Sequence, residues 1–410
     1  MKEPKIRFKG FSGEWKRSTL GDLALFSKGS GYSKSDICKE GTPVILYGRM
    51  YTKYQSVFDE IDTFVNPKDN SVVSKGGEVI IPGSGESSED ISLAAMVKNE
   101  GVILGGDLNI LKFNQKVNDP AFMSMAITYS PTRAELSSYS QGKTVVHLRN
   151  SEIAKGTIRY PDILEQNTIV NYVLSLDAQI SASTSRLDSL KQMKAASLQA
   201  MFPQEGETVP KVRFKGFEGE WKKVKLNTFA KRIMRKNSNF ESSLALTIAS
   251  ANGLVSQAEY FNNLVVGSNI QNYYLLKKGE FAYNKSYSNG YPFGSVKRLD
   301  RYEQGILSTL YIVFSIDNSV SSDYITHFFD TTLWHKEIAE RAEEGARNHG
   351  LLNIATRDFF DIYIWMPDSV KEQQSIASFF TSLDRQIALH TQRLEKLKQI
   401  KAACLDKMFA

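Results

Sequence analysis

Cysteine is nearly absent from the chain, since Cys38 and Cys404 are the only two in 410 residues. Two such distant cysteines exclude a disulfide framework and fit a reducing compartment, so we expect a cytoplasmic protein. The N-terminus, residues 1–5, is polar and lacks the apolar stretch of a secretory signal. No apolar run approaches the roughly 20 residues of a membrane span, so no membrane partner is expected.

Catalytic, metal-binding and cofactor-binding motifs are also scarce. Gly142-Lys143-Thr144 resembles the end of a phosphate-binding loop, but Ser137 stands where that loop needs its upstream glycine. The five histidines and two cysteines have no metal-ligand spacing. Glu14 and Glu220 each precede a lysine by two residues, as at the end of a nuclease motif, but neither follows a Pro-Asp pair. The sequence therefore predicts no catalytic residue, metal or bound cofactor, and a stand-alone nuclease remains a weaker alternative.

What the chain does contain is a duplication. Residues 175–202 and 382–409 are identical at 17 of 28 positions without a gap. Residues 4–16 and 210–222 match at 11 of 13 positions, and we call these two blocks the leads. The offset is 206 residues for the leads and 207 for the later blocks, so the chain is a tandem of two similar halves.

The repeated blocks near the end of each half read as long helices. Asp162 with Glu165, and Ser369 with Glu372, have the spacing of a capping box. Apolar residues then recur at heptad a and d positions, which favours a helix–helix seam of about 60 Å. The predicted seam residues are Leu176, Ile180, Leu187, Leu190, Leu383, Ile387, Leu394 and Leu397. Polar residues also fall on the seam, among them Lys194 and Lys401, and such residues commonly fix register.

The segments between lead and helix are strand-like runs punctuated by glycine and proline. We expect strands at 43–47, 78–81 and 310–314, and helices near 120–129 and 322–341. The fold class is therefore mixed α+β, with two globular domains separated by two long antiparallel coiled-coil helices in a pseudo-two-fold tandem repeat. The predicted boundaries are 1–160 and 207–366 for the globular domains, and 161–206 and 367–410 for the helices.

The halves differ in an informative way. Their leads and helices are nearly identical, which implies that both halves touch the same thing or each other. Their globular segments diverge, which implies two different targets. A net charge of +6 permits an anionic partner. A rod of this length would separate two reading heads by roughly 10–15 base pairs of duplex DNA at about 3.4 Å each, so double-stranded DNA is the leading candidate.

With these features the chain resembles the specificity (S) subunits of type I restriction–modification systems. The resemblance rests on the Lys-x-Arg-Phe-x-Gly-Phe-x-Gly-Glu-Trp leads (5–15, 211–221) and the Pro-Asp…Glu-Gln helix starts. It also rests on the Ser-Leu-Asp-x-Gln-Ile and Leu-Lys-Gln-x-Lys helix bodies, and it covers the whole chain.

This resemblance implies a non-catalytic DNA-recognition subunit whose two target-recognition domains each read half of a split, asymmetric site. The two helices would act as spacer and as docking surface for two methyltransferase (modification) subunits, with restriction/translocase subunits joining them. The modified base would be adenine, at N6. S-adenosylmethionine, and for restriction ATP and Mg²⁺, would bind the partners rather than this chain, in the cytoplasm at the nucleoid.

Candidate DNA contacts lie in polar segments that follow strands, where arginine, lysine, tyrosine and asparagine side chains suit phosphates and base edges. They are Tyr47, Arg49, Tyr51, Lys53, Ser84, Lys143, Asn252, Asn284, Lys285, Ser288, Arg347 and Asn348. Trp15 and Trp221 we expect to be core anchors. An alternative reading is a two-headed scaffold that binds two different proteins and has no DNA specificity.

Overall fold

The computed structural model describes residues 3–142, 144–249, 253–261, 269–286, 290–342, 352 and 354–410. The chain divides into two units by internal contacts. The first unit comprises residues 1–184 and 392–410, and the second comprises residues 185–391. Each unit is thus built from one globular segment together with one end of each long helix.

The first globular segment alternates short strands with short helices. Its strands are β1 (Lys16–Thr19), β2 (Ala24–Lys28), β3 (Ile37–Cys38), β4 (Thr42–Ile45), β5 (Val57–Phe58), β6 (Phe64–Val65), β7 (Val73–Lys75), β8 (Glu78–Pro82), β9 (Ser84–Gly85), β10 (Ala95–Val97), β11 (Glu100–Leu104), β12 (Leu108–Phe113), β13 (Val146–His147) and β14 (Thr157–Tyr160). Its helices are α1 (Leu20–Leu23), α2 (Arg49–Thr52), α3 (Ser88–Ile91), α4 (Pro120–Tyr129), α5 (Pro131–Tyr139) and α6 (Asn150–Ile153), before the long α7 (Ile163–Ala200).

The second globular segment has the same character. Its strands are β15 (Lys222–Lys225), β16 (Ala230–Arg232), β17 (Leu246–Ala249), β18 (Gly253–Ser256), β19 (Tyr274–Lys277), β20 (Phe281–Asn284), β21 (Ser295–Arg298), β22 (Gln304–Leu307), β23 (Ile312–Ile316) and β24 (Tyr363–Met366). Its helices are α8 (Gln257–Phe261), α9 (Ser322–Phe328), α10 (His335–Arg341) and α11 (Thr356–Phe360), before the long α12 (Val370–Phe409).

Both segments are organised around one shared sheet order. The first contains β2-β12-β8-β10, extended by β5, and the second contains β16-β23-β20-β21. In each, the strand that follows the lead pairs antiparallel with the strand that precedes the long helix, β1 with β14 and β15 with β24. The registers also agree, because Lys16 faces Tyr160 and Lys222 faces Met366. The halves therefore share a fold despite their divergent sequences, as the tandem repeat predicted.

Most predicted elements are present. The run at 43–47 forms β4, which ends two residues earlier than predicted, at Ile45. The run at 78–81 forms β8, and 120–129 forms α4 with the predicted bounds. The run at 310–314 begins two residues later than predicted, as β23, and 322–341 is divided into α9 and α10.

Trp15 and Trp221 anchor the cores of the two units, which confirms the role predicted for them. Trp15 is buried against Phe122 and against Phe409, at the end of α12. Trp221 is buried against Phe202, just beyond the end of α7. In both units, therefore, a lead tryptophan packs on the phenylalanine that ends a repeated helix block.

The long helices have 38 and 40 residues, as their heptads predicted. Within the first unit they run antiparallel, because Tyr172 lies against Cys404 and Asp177 bonds Lys401. Within the second unit they also run antiparallel, because Lys194 bonds Asp384 and Phe202 packs on Phe380.

The predicted seam residues lie on the packed faces of these helices. Leu176, Leu187, Leu190, Leu383 and Leu394 are buried, and Ile180, Ile387 and Leu397 are partly exposed. The lysines on the seam do not disrupt it, because Lys194 and Lys401 each bond an aspartate of the opposite helix. None of the described helices contains a stretch both apolar and long enough to span a membrane.

Candidate nucleic-acid interface

Tyr47 and Tyr51 lie together just beyond β4, at the surface of the first unit. Their rings make an edge contact with centroids 6.2 Å apart. The Tyr51 hydroxyl donates to the carbonyl oxygen of Ser84 at 2.7 Å, which ties this segment to β9. Burial, with smaller effects from nearby carboxylates, raises the pKa of the Tyr51 hydroxyl above its ordinary value, so it stays a proton donor. Tyr47 remains exposed and available to a partner.

Arg49 and Lys53 are engaged within the protein rather than free. Both bond the carboxylate of Asp62, and Arg49 also donates to the Glu60 carbonyl at 3.1 Å. The Arg49 side chain is 9% exposed and lies over the Phe58 ring, whereas that of Lys53 is largely exposed. Hydrogen bonds first from Arg49 and then from Lys53 hold the pKa of Asp62 well below its usual range. The polar segment that follows β4 is in part the helix α2, and the contacts of Arg49 hold this helix in place.

Ser84, which we expected in a polar segment after a strand, lies in a short strand of its own. Ser84 and Gly85 form β9, which pairs antiparallel with β13. Ser84 is buried, and its hydroxyl lies 3.0 Å from Nδ1 of His147. One ring nitrogen of His147 is thereby anchored, while the residue itself is exposed. The sequence predicts no role for His147, because no local pattern relates it to Ser84, 63 residues away.

The second unit places Asn284 and Lys285 at the end of β20. The Asn284 side-chain oxygen accepts from the backbone N–H of Ser286 at 3.0 Å, which shapes the turn. The carbonyl oxygen of Lys285 accepts from the backbone N–H of Leu352 at 3.0 Å. Both residues are half-buried. The remaining predicted contacts lie outside the described residues: Lys143, Asn252, Ser288, Arg347 and Asn348.

Corresponding turns precede the two central strands. Glu78 opens β8, and its carboxylate accepts from the backbone N–H of Lys75 at 2.9 Å. Glu280 directly precedes β20 and accepts from the backbone N–H of Lys277 at 2.7 Å. The candidate residue Ser84 follows β8, and Asn284 is the last residue of β20, so both lie at the far ends of strands that begin alike in the two units.

A family model for the type I restriction modification DNA specificity domain matches residues 12–192 and again residues 218–399. The chain belongs to this family. It is a DNA-recognition subunit of the type I restriction–modification class, with two target-recognition domains.

A solved S-subunit structure shares the fold of this specificity subunit. The S subunit of a type I restriction-modification system from M. genitalium aligns over 100% of this chain and 99% of its own, with a TM-score of 0.64 at 14% identity. The HsdS subunit from Thermoanaerobacter tengcongensis aligns over 96% of each chain, with a TM-score of 0.45 at 15% identity. No curated protein matches the sequence significantly.

Many residues that the two halves of the specificity subunit share form joints within each unit. Arg7 makes a bidentate pair with Glu165 at 2.8 and 2.7 Å, and Arg213 does the same with Glu372 at 2.6 and 2.8 Å. These glutamates were predicted to close capping boxes. Their carboxylates instead bind arginines of the lead, which lie about 160 residues earlier in the chain and which local spacing could not reveal.

The glutamine of each helix start has a structural role as well. The Gln166 side chain accepts from the backbone N–H of Asp119 and donates to the carbonyl of Pro161, both at 2.8 Å. Gln373 does the same with Ser321 and Pro367, at 2.9 and 3.0 Å. The repeated Pro-Asp…Glu-Gln sequence therefore fixes each long helix to its own globular segment.

One group of side chains in the described part of the chain has the proximity of metal ligands. His327, Asp330 and Asp384 present ligand atoms within 4.8 Å of one another. However, Lys194 and Lys297 already bond these aspartates, so the carboxylates are neutralised without an ion. The lysines of the two patterns that resemble the end of a nuclease motif, Lys16 and Lys222, form exposed ion pairs with Asp162 and Asp368.

Proposed function

We propose that each target-recognition domain of this specificity subunit reads one half of a split, asymmetric DNA site. The observation that carries the proposal is the pair of family matches, one in each half of the chain. The side chains that join lead and helix are the same in both halves, whereas the candidate reading residues differ. The candidate reading residues of the first unit include Tyr47, Tyr51 and Ser84, whereas those of the second unit include Asn284 and Lys285. Two similar scaffolds with different reading side chains suit two different half-sites.

Two identical methyltransferase subunits would dock on the repeated helices. Support comes from positions that are identical in both helices, exposed, and without an ion-pair partner in the described part of the chain. These are Arg186, Lys191 and Gln192 in α7, and Arg393, Lys398 and Gln399 in α12. Because packing within the chain does not require these side chains, an identical partner on each helix explains their identity.

Methylation and cleavage would be carried out by the partner subunits. The specificity subunit would select the site, and each methyltransferase subunit would bind S-adenosylmethionine and methylate adenine at N6 after flipping the base out of the duplex. Restriction/translocase subunits would add ATP- and Mg²⁺-dependent cleavage, in the cytoplasm at the nucleoid. In this scheme the chain itself contributes recognition, spacing and assembly.

Selection of duplexes from a random pool by the purified chain, with its methyltransferase subunit present, tests the proposal. We expect the enriched duplexes to share two short fixed sequences at a constant separation, and affinity to fall steeply with salt. His147→Ala should weaken selection of one fixed sequence only, and His390→Ala on α12 serves as its control. Enrichment of no sequence, with no salt-dependent binding, would favour the two-headed protein scaffold instead.

A further inference from the structure

A groove lies between the second lead and the end of α7, within the second unit. It has a volume of about 350 Å³, and its walls include Met193, Ala196, Ala200, Val212, Phe214 and Phe379. The backbone N–H of Val212 donates to the carbonyl oxygen of Ala200 at 2.9 Å, which fixes the lead against the last turn of the helix. Because an apolar cavity of about 150 Å³ already admits a benzene ring, this groove has room for an aromatic side chain.

The groove presents apolar surface and no free charge. The rings of Phe214 and Phe379 meet edge to face, with centroids 6.2 Å apart. Arg213 is the one charged residue among those that line the groove. Its guanidinium is already bound to the Glu372 carboxylate and to two backbone carbonyl oxygens of the lead. The walls therefore suit an apolar side chain and offer nothing to hold a DNA phosphate.

Two large apolar side chains of the groove remain in contact with solvent. Met193 is 47% exposed and Val212 is 54% exposed. Single exposed apolar residues are common, but two that border one concave apolar site mark a surface that a partner covers. Met193 also directly follows Lys191 and Gln192, the exposed helix residues to which we propose that a methyltransferase subunit docks. The groove is therefore continuous with that surface.

The first unit repeats the apolar side chains of the groove. At the offsets of the tandem repeat, the counterparts of Val212, Phe214, Phe379 and Met193 are Ile6, Phe8, Tyr172 and Ile400. The rings of Phe8 and Tyr172 again meet edge to face, 5.4 Å apart. Ile6 packs against the core of the first unit, whereas its counterpart in the second unit stays exposed. Packing within the second unit therefore does not explain why that position is apolar.

Contacts within the chain explain only part of the identity between the two leads. The arginine of each lead binds a glutamate of a long helix, and the tryptophan anchors a core. Lys9 and Lys215 are also identical, yet both are exposed and form no ion pair within the part of the chain that the structure describes. An identical partner that touches each lead would account for such residues.

We propose that the groove of the second unit receives an apolar side chain of the methyltransferase subunit. This inference rests on the proposed function, in which such a subunit docks on each repeated helix, and it extends the docking surface from the helix to the lead. The inserted side chain, aromatic or long and aliphatic, would cover Met193 and Val212. Lys191 and Gln192 would lie at the polar rim of the contact. Apolar anchors that fill a pocket commonly carry much of the binding free energy of an interface.

Titration of the full-length chain with the methyltransferase subunit of the same system, followed by native mass spectrometry, tests this inference. Val212→Asp places a carboxylate at the groove, and Val117→Asp, at a position that is 53% exposed in the first unit, is the matched control. We expect the wild type and the control to bind two methyltransferase subunits. Val212→Asp should bind one of the two more weakly by roughly tenfold or more. Ala196→Trp, which fills the groove from an exposed helix position, should have the same effect.

A photo-reactive benzophenone side chain in place of Val212 identifies what enters the groove. We expect it to cross-link to an apolar residue of the methyltransferase subunit, and the same side chain in place of Val117 to give no such product. Circular dichroism and the melting temperature show whether each variant is folded.

The possible outcomes separate this inference from the proposed function. Failure of the wild-type chain to bind any methyltransferase subunit would contradict the proposed function and the inference together. Equal binding by the wild type, Val212→Asp and Ala196→Trp would overturn the inference alone and leave docking on the helices intact. Cross-links to a second copy of the specificity subunit would also overturn it, because they would assign the groove to self-association.

Discussion

Arg213 and Glu372 form a bidentate ion pair whose side chains are 14% and 2% exposed. Removal of one partner would leave a buried charge without its counter-ion, which costs about 3 kcal/mol or more. We predict that Arg213→Met destabilises the second unit by about that amount, measured by urea unfolding followed through tryptophan fluorescence.

Lys222→Met is the matched control, because it breaks a repeated ion pair, with Asp368, that is exposed on both sides. Exposed pairs contribute little to stability. Equal losses of unfolding free energy in the two variants would contradict the conclusion that Arg213 fixes the lead to α12.

Asp330 gives the second unit a pH dependence through its buried carboxylate. Burial would raise the pKa of its carboxyl, but the His327 ring and the charges of Lys297 and Lys194 outweigh burial and hold it well below the ordinary value of 3.8. Because the pKa is depressed on folding, the stabilisation is fully present above about pH 4 and is lost as the pH falls through the folded-state pKa. Asp330→Asn should therefore destabilise the second unit at pH 7, and by a smaller margin at pH 3, which lies below the ordinary pKa of 3.8.

Urea unfolding at the two pH values measures this difference. Asp368→Asn, at an exposed position, is the control and should show little effect at pH 7. A loss for Asp330→Asn that stays constant down to pH 3 would show that its charge is not what stabilises the second unit.

At the scale of elements, α7 and α12 owe their stability to one packed face. Leu383 is 4% exposed within the core of the second unit, whereas Leu389, on the same helix, is 56% exposed. Leu383→Ala should cost about 2–5 kcal/mol, from lost burial and the cavity left behind. Leu389→Ala, which changes helix propensity equally, should cost little. Thermal unfolding of the two variants distinguishes a helix seam from a helix that is stable by itself.

Some elements of the fold were predictable from the sequence, whereas the contacts between distant residues were not. Heptad spacing, the tandem repeat and turn residues are local or periodic signals, so α7, α12, β8 and α4 were predictable. The pairing of Ser84 with His147 and of Glu165 with Arg7 depends on contacts between residues 63 and 158 positions apart. Such contacts follow from the folded topology, and a single sequence carries no local trace of them. The candidate DNA contacts therefore remain predictions, while the joints are visible in the structure.

The proposed spacer role predicts a length dependence. Insertion of one heptad into each long helix, after Thr184 and after Thr391, would add about 10.5 Å of helix. This corresponds to roughly three base pairs at about 3.4 Å each. The fixed sequences selected from random duplexes should keep their identity and move apart by that amount. Insertion into one helix only would break the register of the seam and should abolish selection, and an unchanged gap with both insertions would contradict the spacer role.

At the scale of the whole molecule, the chain contains two target-recognition domains that share a fold, and under the proposed function they would read different half-sites. Replacement of the candidate reading residues of one unit should therefore alter the half-site which that unit reads and leave the other half-site unchanged. Under the proposed function, the repeated exposed helix residues would contact partners that are themselves identical.

Genome-wide mapping of adenine methylation in the source cell, with and without this gene, tests the central claim most directly. We predict that deletion removes methylation from one split motif, with two fixed parts and a constant gap, and from no other motif. Restoration of the gene should restore that motif. If an active methyltransferase partner is present and methylation is unchanged by deletion, the chain does not direct methylation, and the account of its function is contradicted.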